Sequence, residues 1–148
     1  MIQRLDFTNP ATLTAAFQLQ KDAYEQEARL IGSRMIPPLL ETIEGLRDSN
    51  ERFYGEIHDG LIVGIIALCE EGPYLRISRL AVAPTHFGKG IGTRLIRFAN
   101  DSNEKGQSIV VSTGEANTPA RNLYEKLGFR LTRVFPAGEV MLAEYLRD

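Results

Sequence analysis

The 148-residue sequence is poor in cysteine and histidine, carries no surplus of positive charge, and has no long apolar run. Each scarcity excludes something. Cys69 has no second cysteine to pair with, so no disulfide forms within the chain. It lies in the apolar run Leu61–Cys69 and reads as a buried thiol rather than a nucleophile. One cysteine and two histidines do not make a closed structural zinc site, and no metal is expected. A membrane-spanning helix needs about 18 consecutive apolar residues, which occur nowhere here, so no membrane partner is expected. Met1–Asp6 lacks the apolar core of a signal peptide, and the expected address is cytoplasmic. Lys and Arg number 17 against 19 Asp and Glu, a net charge of −2. A nucleic-acid footprint would be clearly positive and clustered, so no nucleic-acid partner is expected.

What remains is 43% hydrophobic and 24% charged, with no repeat, linker or low-complexity tract. That is one globular domain, residues 1–148, able to bury roughly two thirds of its unfolded surface. Ile2–Phe7 reads as a short strand. Asn9 or Thr8 then caps a helix over Pro10–Ala28, with Pro10 at the first position and Leu13, Ala16, Phe17, Gln20 and Tyr24 at helical spacing. Arg29–Arg34 is ambiguous. A second helix is expected over Pro38–Asp48, with Leu39, Leu40, Ile43 and Leu46 on its apolar side.

The period then changes to two. Phe53–His58 and Leu61–Cys69 form a hairpin across Asp59-Gly60, where a tight turn needs positive φ. Tyr74–Val82 follows as a strand, then a helix with the stripe Ile91, Leu95, Ile96, Ala99. Gln107–Ser112 is a strand, Pro119–Leu127 a helix, and Arg130–Phe135 with Val140–Leu146 a final antiparallel pair. Strands interleaved with four helices make an α/β fold on one mixed sheet.

The most informative segment runs from Val82 to Arg94. A strand ends, glycines stand at 88, 90 and 92, and a helix begins. Alternate glycines expose consecutive amides, and a helix start adds unpaired N–H donors, which together cradle a phosphate or pyrophosphate. Lys89 and Arg94 are placed to add charge at the rim. A Walker A loop fails, because Gly90 stands where Ser or Thr belongs. A dinucleotide fingerprint fails at Thr93. A glycine turn with no ligand remains the alternative.

Leu80-Ala81-Val82-Ala83-Pro84 followed by Phe87-Gly88-Lys89-Gly90-Ile91-Gly92 resembles the acetyl-CoA motif of the GCN5-related N-acetyltransferases (GNAT). A second family segment follows: Asn117, Ala120 and Leu123-Tyr124-Glu125-Lys126-Leu127-Gly128-Phe129. The resemblance covers residues 53–148 by motif and the rest by element order. It departs at Phe87, where the family has Gln or Arg, so that Phe87 is expected to pack on neighbouring surface with His86 or Lys89 nearer the anion.

The resemblance implies a mostly antiparallel mixed sheet with helices on both faces, the acyl-CoA N-acyltransferase fold. It implies acetyl transfer from acetyl-CoA to a primary amine by direct attack. The strands around Leu80–Ala83 and Ile109–Ser112 would splay, with the pantetheine arm pairing to Leu80 and Val82 beside Ala81. An N–H near Val82 would polarise the thioester carbonyl. The amides from Gly88 through Lys89, Gly90, Ile91 and Gly92 to Thr93 would take the pyrophosphate. Tyr124 would protonate the departing thiolate; Asn117 would cap its helix and Ala120 would leave room for the cofactor. Arg121 reads as a solvated helix charge. Glu27, near the end of the first helix with Tyr24 and Glu25, would hold the ammonium or act as base, with water-relayed deprotonation as the alternative. Glu70 and Glu71 read as solvated turn acids.

The acceptor implied is a small-molecule amine, with a protein N-terminus or lysine as alternatives, under a roof of Tyr24–Leu39 including Arg29, Arg34 and Met35. A homodimer through Val140–Tyr145 is expected. A non-catalytic acyl-CoA binding or sensing module is the competing reading.

Overall fold

The computed structural model describes residues 1–32 and 40–148. Arg34, Met35, Pro38 and Leu39, named above, lie outside the described residues. Seven strands, β1 (Ile2–Arg4), β2 (Arg52–His58), β3 (Leu61–Glu71), β4 (Tyr74–Val82), β5 (Ile109–Gly114), β6 (Arg130–Ala137) and β7 (Val140–Arg147), form one sheet ordered β1-β2-β3-β4-β5-β7-β6. Every pairing is antiparallel except β4 with β5. Four helices are described: α1 (Pro10–Ile31), α2 (Ile43–Arg47), α3 (Ile91–Asp101) and α4 (Thr118–Lys126). No helix among the described residues is long and apolar enough to cross a membrane.

Helices cover both faces. On one face, Leu13 and Leu19 of α1 and Leu46 of α2 pack with Phe53, Ile65, Ala67 and Ala81. On the other, Ile91, Leu95, Ile96 and Ala99 of α3 and Tyr124 of α4 pack with Ile66, Leu68, Ile77 and Val111. β3 serves both cores because its side chains alternate.

Local chemistry sets the boundaries. β1 stops at Arg4, short of the expected Phe7, because the Asp6 carboxylate takes Thr8 N–H and Oγ1–H and turns the chain. Asn9 Oδ1 then accepts from Ala11 and Thr12 at 3.0 and 3.4 Å and starts α1. That helix runs past Ala28 to Ile31 and ends at left-handed Gly32. The second helix is shorter than expected: Thr42 caps it at Gly45 N–H, and Leu40 is exposed while Leu46 is buried. Asp59 and Gly60 both take positive φ, 51° and 78°, as a two-residue hairpin requires. β5 lies at Ile109–Gly114 rather than Gln107–Ser112, since the Asn103 side chain holds Gln107 in a turn.

Gly64 carries a consequence for the site. A Cβ there would stand 2.6 Å from Ile91 Cγ2 and 3.1 Å from Leu95 Cδ1, at the start of α3. Gly64→Val is therefore expected to lower stability by about 1–3 kcal/mol and to displace the α3 N-terminus. Urea unfolding checks this; wild-type stability in the variant would refute it.

Candidate active site

β4 and β5 pair only at Leu75–Ile109, Arg76–Val110 and Ile77–Val111. Beyond Ile77 the strands part. The cause is a bulge: Ile77 pairs Leu68 and Arg79 pairs Ala67, so Ser78 is an extra residue that bends β4 away from β5. Ser78 Oγ reaches the Ala67 carbonyl at 3.2 Å and also contacts Glu51. Ala83 N–H donates to Val63 O at 2.9 Å, so by alternation Ala81 N–H faces β3 and those of Leu80 and Val82 face the gap.

The gap opens into a cavity of about 820 Å³. The cofactor and catalytic candidates named from the sequence line it, except the two cations Lys89 and Arg94. At the α3 start, Gly88 and Gly90 have φ of 76° and 77°, a conformation other side chains resist. Gly90 is the N-cap and provides no side-chain acceptor, so the first-turn amides are not capped by any side chain. Gly92 has a packing reason as well: a Cβ would meet Leu123 Cδ2 at 3.2 Å, between α3 and α4.

Arg94 is not a rim cation. It grips Glu56 with Nε at 2.9 Å and Nη2 at 2.6 Å, and Nη1 holds the Lys89 carbonyl at 3.1 Å. Glu56 is 2% exposed, and the Arg94 hydrogen bonds keep its carboxyl below the usual range despite burial; His58 assists at 2.7 Å. The ion pair thus fastens the glycine loop to β2. His86 and Phe87 line the cavity, but Phe87 is 52% exposed rather than packed down. The reason is its extended backbone before left-handed Gly88, which turns it outward at the loop.

At the fork, Glu27 Oε1 accepts from Thr113 Oγ1 at 3.1 Å and Asn117 Nδ2 at 3.3 Å. Burial raises its carboxyl above the ordinary range and outweighs the hydrogen bonds from Asn117, Thr113 and Gly114. Asn117 also caps α4, its Oδ1 accepting from Ala120 N–H at 3.2 Å. Tyr124 is 4% exposed, against the rings of Phe129 and Tyr145. Its hydroxyl has no hydrogen-bond partner among the described residues. Burial, then the neighbouring Tyr24, raises its pKa, so it stays a neutral donor. Burial and Glu27 do the same for Tyr24, whose hydroxyl bonds the Leu80 backbone.

The sequence reading missed Thr113 and a buried ion cluster on Arg79. That side chain is 11% exposed; it bonds Glu41 at 2.5 and 2.8 Å, Glu51 at 2.8–3.0 Å and Gln20 at 2.8 Å. Burial would lower its pKa, but the carboxylates of Glu41 and Glu51 raise it instead. Arg79, next to the apolar run Leu80-Ala81-Val82 in a strand inside the sheet, was the available signal, since a buried charge needs carboxylate partners. Other expectations need correction. Cys69 is half-buried, with its thiol raised chiefly by burial. Glu71 pairs with Arg76 and Glu70 accepts from Gln107, so neither is merely solvated. Arg121 donates to Tyr145 Oη and the Glu115 carbonyl. Among the described residues, no group of three or more His, Cys, Asp or Glu is placed to hold a metal.

The acetyltransferase (GNAT) domain model matches residues 49–131, and the chain belongs to this family. It is similar to UPF0157 protein YqkA of Bacillus subtilis (strain 168), 37% identical over 142 residues, covering 96% of this chain and 41% of that protein. Streptothricin acetyltransferase of Escherichia coli is 38% identical over 106 residues, covering 68% of this chain and 61% of that protein. The chain thus spans 41% and 61% of the lengths of these curated relatives. In fold it matches the PaiA N-acetyltransferase of Thermoplasma acidophilum in complex with coenzyme A, with TM-score 0.77, 19% identity, and 97% and 96% of the two chains covered.

Proposed function

We propose that this chain transfers the acetyl group of acetyl-CoA to a primary amine, a small molecule first, by direct attack in a ternary complex. One observation carries the reading: the β4–β5 fork opens into a cavity lined by both the uncapped start of α3 and Tyr24, Glu27 and Tyr124. Left-handed Gly88 and Gly90 leave the loop free of Cβ atoms where an anion would approach, which fits a pyrophosphate.

The pantetheine arm pairs with the gap-facing backbone, the Leu80 N–H and the carbonyls of Leu80 and Val82, displacing the Tyr24 hydroxyl from Leu80. The Val82 N–H then faces the thioester carbonyl as its oxygen gains charge. Glu27 takes a proton from the substrate ammonium. The freed amine attacks the carbonyl carbon, the C–S bond breaks, Tyr124 donates its proton to the departing thiolate, and the second proton lost by the amine nitrogen restores the Tyr124 phenol. The amide and the CoA thiol leave, and Glu27 passes its proton to water. Streptothricin acetyltransferase carries an acetyl-transfer activity in its name, which supports a small-molecule acceptor here. A cytoplasmic homodimer belongs to the same reading, and light scattering of the purified chain checks the dimer.

Thiol release from acetyl-CoA across a panel of amines tests the activity. Acceleration by at least one amine is the expected result. CoA binding with no accelerating amine would instead favour an acyl-CoA binding module. Absence of acyl-CoA binding would overturn the reading.

Glu27 gives a sharper test. A base must be ionised, so kcat/KM rises with pH through its pKa, which burial has moved upward. Glu27→Gln is expected to abolish that acid limb and lower kcat by about 10²-fold. Stability should move the opposite way. A folded-state pKa above the unfolded one means that ionised Glu27 destabilises the fold as pH rises through it. The Gln variant, still able to accept from Thr113 and Asn117, is therefore expected to melt at or above wild type at pH 7.5. An unchanged pH profile would remove Glu27 as the base.

A further inference from the structure

We infer that Phe87 is the platform on which the adenine ring of CoA stacks; the inference rests on the acyl-CoA reading above. Phe87 follows the single 3-10 turn Pro84–His86 with φ −62° and ψ 149°, and left-handed Gly88 comes next. This geometry sets the ring at the lip of the cavity, half in solvent. It joins neither apolar core, and no aromatic ring lies against it among the described residues. Among the described residues, Phe87 and Leu30 are the large exposed apolar side chains that line this cavity.

The chemistry of the ligand explains why a flat apolar surface belongs there. The amides of α3 and of the glycine loop suit the pyrophosphate, and the fork suits the pantetheine arm. The adenosine lies beyond the pyrophosphate, next to the loop. Its base has an apolar face that any exposed aromatic ring can cover, and such stacking is sequence-tolerant and substantial. The GNAT motif has Gln or Arg at this position, a side chain suited to phosphate. Phenylalanine cannot bond phosphate oxygens. Here the loop gives up that polar contact, keeps the backbone cradle, and gains a hold on the base.

Stacking at Phe87 separates from the backbone cradle because CoA can be shortened. Calorimetry would measure CoA, dephospho-CoA and 4′-phosphopantetheine on wild type, Phe87→Ala, Phe87→Gln and Phe87→Trp. Because the ring is outside the cores, all variants should melt close to wild type. Phe87→Ala should weaken CoA and dephospho-CoA roughly tenfold to hundredfold and leave phosphopantetheine within about twofold. Phe87→Trp should hold CoA at wild-type affinity or tighter. Phe87→Gln should weaken CoA as Ala does; a Gln variant that binds CoA more tightly would overturn the inference. So would an Ala variant with intact CoA affinity, or one that loses CoA and phosphopantetheine equally. Failure of wild type to bind CoA would overturn the acyl-CoA reading itself, an outcome distinct from all of these.

Discussion

Tyr124→Phe should lower kcat by about 10²- to 10⁴-fold and leave the dissociation constant of CoA within about twofold. The substitution removes one oxygen atom. The ring stays packed on Phe129 and Tyr145, and among the described residues the hydroxyl has no hydrogen-bond partner to orphan, so folding should be nearly unaffected. Burial keeps the phenol protonated across the working range. In the proposed reaction it would donate to sulfur as the C–S bond breaks, a contact that strengthens only as the thiolate forms. An interaction made in the transition state appears in kcat and not in binding. Steady-state kinetics beside calorimetry reads the split. Weakened CoA binding with unchanged turnover would remove Tyr124 from the reaction.

Arg79→Met should have the largest effect on folding, about 3–5 kcal/mol of lost stability. The guanidinium sits between Glu41 and Glu51 and lies over the Phe53 ring. Removing it leaves two carboxylates with little access to water and no cation between them. The pH dependence follows from Glu41. Burial alone would raise that carboxyl, but the Arg79 and Gln20 hydrogen bonds hold it low. A depressed folded-state pKa stabilises above the unfolded value, about 4.3, and is lost as pH falls through the folded one. The gap between wild type and variant should therefore be widest near pH 7 and shrink below about pH 4. Urea unfolding at several pH values measures it; a gap that widens with acid would refute the assignment. Activity should fall too, because Glu51 contacts both residues of the bend, Ser78 and Arg79, that aims the next amides into the gap.

The sequence made legible what short stretches of chain enforce. Asn9-Pro10, Asp59-Gly60 and the glycines at 88 and 90 each demand a local backbone geometry, and each adopts it. The nearly continuous apolar run Leu61–Cys69 marked an inner strand, and β3 lies inside the sheet between β2 and β4. What was hidden depends on partners far apart in the chain. Glu27 meets Thr113 and Asn117 across 86 and 90 positions, and Arg79 meets Gln20 across 59. No periodicity encodes such a meeting. The bulge at Ser78 was equally silent, since one extra residue in a strand leaves the composition of that strand ordinary. Arg94 looked like a phosphate ligand because Glu56, on a different strand, was not visible beside it.

The short contact between β4 and β5 also governs how the molecule resists opening. The sheet is two ribbons, β1 to β4 and β5 to β7, sewn together by three rungs of parallel ladder. A ligand that bonds both edges of the fork completes the seam. Its binding energy then adds to the work of separating the ribbons, about 2.7 kcal/mol at a hundredfold excess over the dissociation constant. Amide exchange at the fork thus becomes a gauge of occupancy: fast when the seam is open, slow when a ligand has closed it.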